Sequence, residues 1–187
     1  FSFSACEGNE FEEQNYSGNA LGTSYHIKIF TGKEDLQIEK GLDSVFQVIN
    51  KSMSTYWEDS DISLINRGID SIKVDANFQN VFKASEQIYK ETNGYFDPTV
   101  GNLVNAYGFG PDKSLEALDV DTIDSLLQYV GFDKLKLTDE DRIAKENPHI
   151  YLDFNAIAKG YTIDVIAEYF ENKGIHNYLI ELGGELV

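Results

Sequence analysis

The chain is predicted to fold as an α+β protein with a mixed or antiparallel sheet packed with helices. Three observations carry this. Residues 23–30 alternate apolar and polar positions as a half-buried strand does, and apolar stripes at helical spacing recur along 38–49, 78–89 and 157–170. Strand and helix signals also follow one another without the strict alternation of a doubly wound sheet. Hydrophobic residues make up 42% of the 187 positions, and 12 Phe with 11 Tyr supply material for a packed core.

The first strand places Tyr25, Ile27 and Ile29 on one face and His26, Lys28 and Phe30 on the other, and Thr31-Gly32 turns it. Ile38, Leu42, Val45, Phe46 and Ile49 then line one side of a long amphipathic helix. Ser60 or Asp61 caps a short helix carrying Ile62, Leu64 and Ile65. The helix through Phe78, Val81, Phe82, Ile88 and Tyr89 stops at Thr92-Asn93-Gly94, where Gly94 suits a left-handed terminal residue. Residues 95–111 hold Pro98, Gly101, Gly108, Gly110 and Pro111 among aromatics and read as an ordered loop. A helix follows from Asp121 to Val130. Leu135 with Leu137, Ile143, and Ile150 with Leu152 suggest three short strands in a meander, the last closed by Asp153. A helix ending at Lys173-Gly174 and a strand over 178–182 complete the order.

Charge and motif searches remove several function classes. Asp plus Glu outnumber Lys plus Arg by 32 to 15, a formal charge of -17, which repels phosphate backbones and argues against nonspecific nucleic-acid binding. A nucleotide pocket survives this balance, because backbone N–H groups, one lysine and a divalent metal can collect inside an acidic surface. No P-loop signature is present, and Gly108-Phe109-Gly110-Pro111 lacks the third glycine of a dinucleotide fingerprint. His26, His149 and His176 are scattered, so zinc and serine hydrolase readings lack support and each His reads as structural. No apolar run approaches the roughly 18 residues of a membrane span. The single cysteine, Cys6, follows Phe1-Ser2-Phe3-Ser4-Ala5, which resembles a bacterial lipoprotein processing box; the alternative is an unmodified free thiol. Residues 1–18 are expected to form a polar tether outside the fold.

Residues 153–160, Asp153-Phe154-Asn155-Ala156-Ile157-Ala158-Lys159-Gly160, form the leading site candidate, at a strand end that opens a helix. A helix N-terminus carries about half a positive charge, a phosphate can approach where Ala156 and Gly160 add no bulk, and Lys159 can neutralise it. The competing account is that Asp153 or Asn155 only caps the helix, the small residues serve packing and Lys159 is solvated. In Thr92-Asn93-Gly94-Tyr95-Phe96-Asp97-Pro98-Thr99-Val100-Gly101, Asp97 and Thr99 face a ligand or, alternatively, brace an aromatic turn. Ser54-Thr55-Tyr56 and Gly183-Gly184 are weaker candidates. Tyr56, Tyr95 and Phe96 can stack on a flat ring system, with core packing as the default.

Taken together, these segments resemble the ApbE family, the FAD:protein FMN transferases, from Gly22 to the end of the chain. The resemblance rests on Leu21-Gly22-Thr23, Ser54-Thr55-Tyr56 with Asp59-Ser60-Asp61-Ile62-Ser63 and Asn66, residues 92–101 with Asn105-Ala106-Tyr107-Gly108-Phe109-Gly110-Pro111, Val130-Gly131-Phe132, residues 153–161 and residues 178–184. It implies Mg2+-dependent transfer of FMN from FAD to a threonine hydroxyl of a flavoprotein subunit, with AMP released. Carried over by motif, Leu21, Tyr56, Tyr95, Phe96, Asp97, Asp153 and Lys159 contact FAD, and the backbone carbonyl of Ala156 contacts Mg2+. Leu21 stands where a methionine is usual, a conservative departure. The resemblance also favours a lipid anchor at Cys6 and a place on the periplasmic side of a bacterial envelope, with residues 19–187 as the N-terminal part of the catalytic domain. The family's side-chain metal ligands and proton acceptor are expected beyond Val187, so transfer by these residues alone is not expected. A Mg2+-dependent FAD pyrophosphatase and a non-enzymatic FAD-binding lipoprotein are the alternatives, with an acidic interaction module behind them.

Overall fold

The computed structural model describes residues 11–33, 36–112, 114–115 and 118–187. The elements begin with β1 (Glu12–Ala20), β2 (Thr23–Thr31), α1 (Ile38–Met53), α2 (Asp61–Asn66), α3 (Ala76–Glu91) and α4 (Gly101–Ala106). They continue with α5 (Val120–Leu127), a 3-10 turn at Phe132–Lys134, β3 (Leu135–Leu137), β4 (Ile143–Lys145), α6 (Ala158–Asn172), β5 (Tyr178–Leu182) and β6 (Glu185–Leu186). Two compact units result. One runs to Phe46 and resumes over Lys159–Val187, and the other is Gln47–Ala158. Each is described by itself.

In the first unit four strands pair antiparallel in the order β1-β2-β5-β6. Tyr25 pairs with Leu182, Ile27 with Ile180 and Ile29 with Tyr178, so β2 and β5 share an apolar sheet face. It is buried with Ile38, Leu42 and Phe46 of α1 and Ile163, Ile166 and Phe170 of α6. Gly41 permits close approach within this core, since a Cβ there would overlap the Tyr169 ring. The period-2 reading of residues 23–30 and the helical stripe from Ile38 match this arrangement.

The expected tether is corrected over residues 12–18, which belong to strand β1. Its inward positions Gln14, Tyr16, Gly18 and Ala20 are only half-buried, as an edge strand allows, and their polar composition hides the alternation. Tyr25 lies across Gly18, its register partner, and fills the space a side chain would take. Leu21 and Gly22 do not open a first strand. They form the two-residue turn between β1 and β2, with φ +51° and +74°, the pattern that matches strand twist. Cys6 lies outside the described residues.

The second unit packs around Ile62, Phe78, Val81, Ile150, Leu152 and Phe154, all buried. Ser60 caps α2 by accepting from Ser63 N–H at 3.1 Å, and Asp75 caps α3 by accepting from Phe78 N–H at 2.8 Å. α3 ends through Asn93 and Gly94 at φ +52° and +82°, as read from the sequence. Asp119 rather than Asp121 caps α5.

Two expectations fail here. Residues 101–106 are helical inside the region read as loop, and the glycine that opens the helix is there for room: a Cβ on Gly101 would stand 2.9 Å from the Tyr151 carbonyl oxygen. The three-stranded meander reduces to the β3–β4 hairpin, and the segment around Ile150 and Leu152 makes only a parallel bridge between Tyr151 and Val100.

Phe78 and Phe154 meet edge to face with centroids 5.2 Å apart, so the core reaches directly into the candidate turn. Phe78→Ala is expected to lower unfolding free energy by about 3–5 kcal/mol, read by urea denaturation.

Candidate functional site

The loop after α3 is braced from within. Thr92 Oγ1 donates to the Ile88 carbonyl at 2.7 Å and accepts from Phe96 N–H at 3.1 Å. Asp97 Oδ1 accepts from both the N–H and the hydroxyl of Thr99, at 2.8 and 2.6 Å. The same buried hydroxyl accepts from Gly131 N–H at 2.7 Å. One Asp97 oxygen therefore serves the bracing account. Phe96 is half-buried, whereas Tyr95 is 97% exposed and packs into no core of this unit.

This loop is joined to the 153–158 turn. Asp153 N–H donates to the Pro98 carbonyl at 2.8 Å, next to the Val100–Tyr151 bridge, so residues 153–158 of the leading candidate adjoin this loop within one unit. Asp153 Oδ1 accepts from Asn155 N–H at 2.7 Å, and its Oδ2 accepts from Asn155 Nδ2 at 3.1 Å. The carboxylate thus closes a turn two residues on, ahead of α6, which begins at Ala158. Phe154 anchors the turn in the core while Asn155 and Ala156 are exposed. Burial raises the Asp153 carboxyl above its ordinary range, partly opposed by the Asn155 hydrogen bonds.

Tyr56, after α1, is 62% exposed, and its hydroxyl donates to the Phe109 carbonyl at 3.0 Å. Core packing therefore fails as the default for Tyr56. Thr55 beside it is buried with no partner for its hydroxyl among the described residues.

Leu21 and Lys159 belong to the other unit. Leu21 holds its positive φ in the β1–β2 turn and packs partly buried against the sheet core. A Cβ built on Gly183 would meet Thr23 Cγ2 at 2.7 Å and Lys159 Cδ at 3.3 Å, so these three residues converge there. Gly160 is not small for packing, since a Cβ at that position would meet nothing within 4 Å.

Sequence reasoning missed Lys145, and gave no role to Asn66, Pro98 or Tyr151. The Asn66 amide donates to the Leu152 carbonyl and accepts from Leu152 N–H, both at 2.8 Å. Only the sequence position of Asn66 near a helix end hinted at this. Of the histidines, His26 Nδ1 lies 2.9 Å from Glu181 Oε2, and His149 packs on Tyr129. Among the described residues no group of three or more His, Cys, Asp or Glu side chains could hold a metal ion, and no helix is long and apolar enough to cross a membrane.

The second unit thus carries exposed rings at Tyr56 and Tyr95, and the half-buried Asp153 carboxylate next to the exposed turn at Asn155 and Ala156. Residues 21–187 match the ApbE family, and the chain belongs to it. It is 34% identical to an FAD:protein FMN transferase of Haemophilus influenzae, covering 99% of this chain and 56% of that relative. Among solved structures, the flavin transferase ApbE from Vibrio cholerae superposes with TM-score 0.87 at 32% identity, covering 94% of this chain and 59% of that one. The apo flavinyl transferase ApbE of Pseudomonas stutzeri gives TM-score 0.86 at 26% identity, covering 95% and 60%. The chain spans about half the length of the curated relatives it matches.

A raised carboxyl means the folded state binds the Asp153 proton more tightly than the unfolded state does. Its contribution to stability therefore falls as pH rises from the ordinary carboxyl range through the raised value. Asp153→Asn, which keeps an acceptor for Asn155 N–H, is expected to unfold at equal or higher denaturant concentration at pH 7 and to lose that acid-side pH dependence. Denaturation curves at pH 4 and pH 7 check both.

Proposed function

We propose that this chain holds FAD for an FAD:protein FMN transferase, which moves FMN to a threonine hydroxyl of a flavoprotein subunit and releases AMP. The observation that carries this is the Asp153–Pro98 junction, which seats an exposed small-residue turn beside Tyr95 and Asp97. The names of the similar proteins support the activity. In this reaction the threonine oxygen attacks the FMN-side phosphorus, the bond from that phosphorus to the bridging oxygen breaks, and AMP leaves with that oxygen. The threonine proton passes to a general base.

The residues here serve binding and orientation. Within the Gln47–Ala158 unit, Ala156 leaves room for a phosphate group, and Tyr56 and Tyr95 offer ring faces to the flat parts of the dinucleotide; Lys159, in the other unit, is a cation assigned to FAD by the family resemblance. Phe96, Asp97 and Asp153, with Leu21 of the other unit, complete the residues that the resemblance assigns to FAD. The Ala156 carbonyl is a hard oxygen donor, which suits Mg2+. The metal would neutralise charge that develops on the phosphate oxygens. A lipid anchor at Cys6 and a periplasmic location belong to the same reading, supported by the small residues before that cysteine.

The full-length protein incubated with FAD, Mg2+ and a threonine-bearing acceptor domain is expected to release AMP and make the acceptor fluorescent. Free FMN with an unlabelled acceptor would indicate the pyrophosphatase instead, and unchanged FAD would reject both. Lys159→Ala is expected to weaken FAD binding by about 1–3 kcal/mol, the range for a lost charge-assisted hydrogen bond, measured by flavin titration. Asp153→Asn is expected to weaken FAD binding in the same titration.

A further inference from the structure

The segment leading into the candidate turn lacks strand neighbours, yet Ile150, Leu152 and Phe154 are fully buried. Buried backbone groups there need partners that a sheet would otherwise supply. Two side chains provide them. Lys145, the last residue of β4, donates through Nζ to the carbonyls of Ile65, Pro148 and Ile150, each at 2.9 Å. Asn66, one residue after Ile65, bonds both backbone groups of Leu152. The C-terminal end of α2 is thus tied to the incoming segment twice, at Ile65 and Asn66 on one side and at Ile150 and Leu152 on the other.

We propose that Asn66 and Lys145 are a paired positioning device for the 153–156 turn. They fix the backbone of residues 150–152, the Pro98 carbonyl takes the next N–H, and the orientation of Asp153 and of the Ala156 carbonyl follows. Neither side chain touches the ligand. The device rests on the functional reading given above, since its purpose is to present that turn to FAD and Mg2+. An ammonium shared among three carbonyls suits the task, because it draws chain segments together without bringing a carboxylate near an anion site. Burial lowers the Lys145 ammonium from its ordinary range, so holding it charged there costs free energy that a solvated lysine would not.

The test uses the full-length protein bearing Asn66→Asp, Lys145→Met or both. FAD affinity with Mg2+ is read by flavin fluorescence well below each melting temperature, and amide hydrogen exchange is read across residues 150–158. Each single variant is expected to bind FAD about tenfold more weakly, the scale of one or two lost hydrogen bonds. The double variant should lose less than the product of the two, because both act on one segment. Exchange should quicken at 152–158 and not in the β1–β2–β5 sheet, and Lys145→Arg should recover part of the affinity. A folded variant whose affinity stays within twofold of the parent overturns the proposal, as do fully multiplicative losses. If Lys145→Met does not fold, Asn66→Asp, which keeps the bond from Leu152 N–H, decides alone. A parent that binds no FAD rejects the functional reading instead; the positioning device then stands if exchange at 152–158 quickens and falls if it does not.

Discussion

The second unit depends on satisfying a buried stretch of backbone that is not part of a sheet. Residues 150–153 run through the core with one bridge to Val100, so their peptide groups are paired one at a time by the Asn66 amide, the Lys145 ammonium and the Pro98 carbonyl. Leaving such a group unpaired costs about 1–3 kcal/mol, and several would be lost together. Three remote parts of the chain are therefore held in register by the same requirement: the end of α2, the loop after α3 and the hairpin carrying Lys145. Packing reinforces it, because Phe154 enters the core against Phe78.

A second constraint is electrostatic. A chain with formal charge -17 can present an anion site only where local dipoles and a few cations outweigh the surroundings. The exposed turn at Asn155 and Ala156 carries no side-chain charge of its own, and Asp153 is turned inward onto Asn155. Burial raises that carboxyl above its ordinary range, and the Asn155 hydrogen bonds oppose the shift only in part. Asp97 is differently employed, with one oxygen given to Thr99 and through it to the Gly131 turn.

Where period and capping agreed, the fold was legible. β2, α1, α2, α3, α6 and β5 follow from alternation, apolar stripes and the Ser60 and Gly94 signals. β1 was hidden because an edge strand needs only a weak inward face, and Gln14, Gly18 and Ala20 do not look like one. α4 was hidden because six residues opened by Gly101 give no stripe, and the expected third strand failed because side chains replaced its ladder. In the site, the two leading segments were legible as motifs, and their adjacency was not, since the Asp153–Pro98 bond joins positions far apart in sequence. Lys145 had no signal at all: a lysine in a strand ordinarily points to water, and only the folded path of residues 148–150 gives it three carbonyls.

The first unit is assembled from both ends of the described chain, with the second inserted between them. Ile27 and Ile29 find Ile180 and Tyr178 about 150 residues later, where the His26–Glu181 contact spans a separation of 155. During synthesis the inserted residues leave the ribosome while the edge of β2 that pairs with β5 is still unpaired. Closing such a distant pairing is slow on entropic grounds. The interval before β5 emerges is when the nascent sheet is most exposed to chaperones and to wrong strand partners, and the polar flank supplied by β1 guards one of its edges meanwhile.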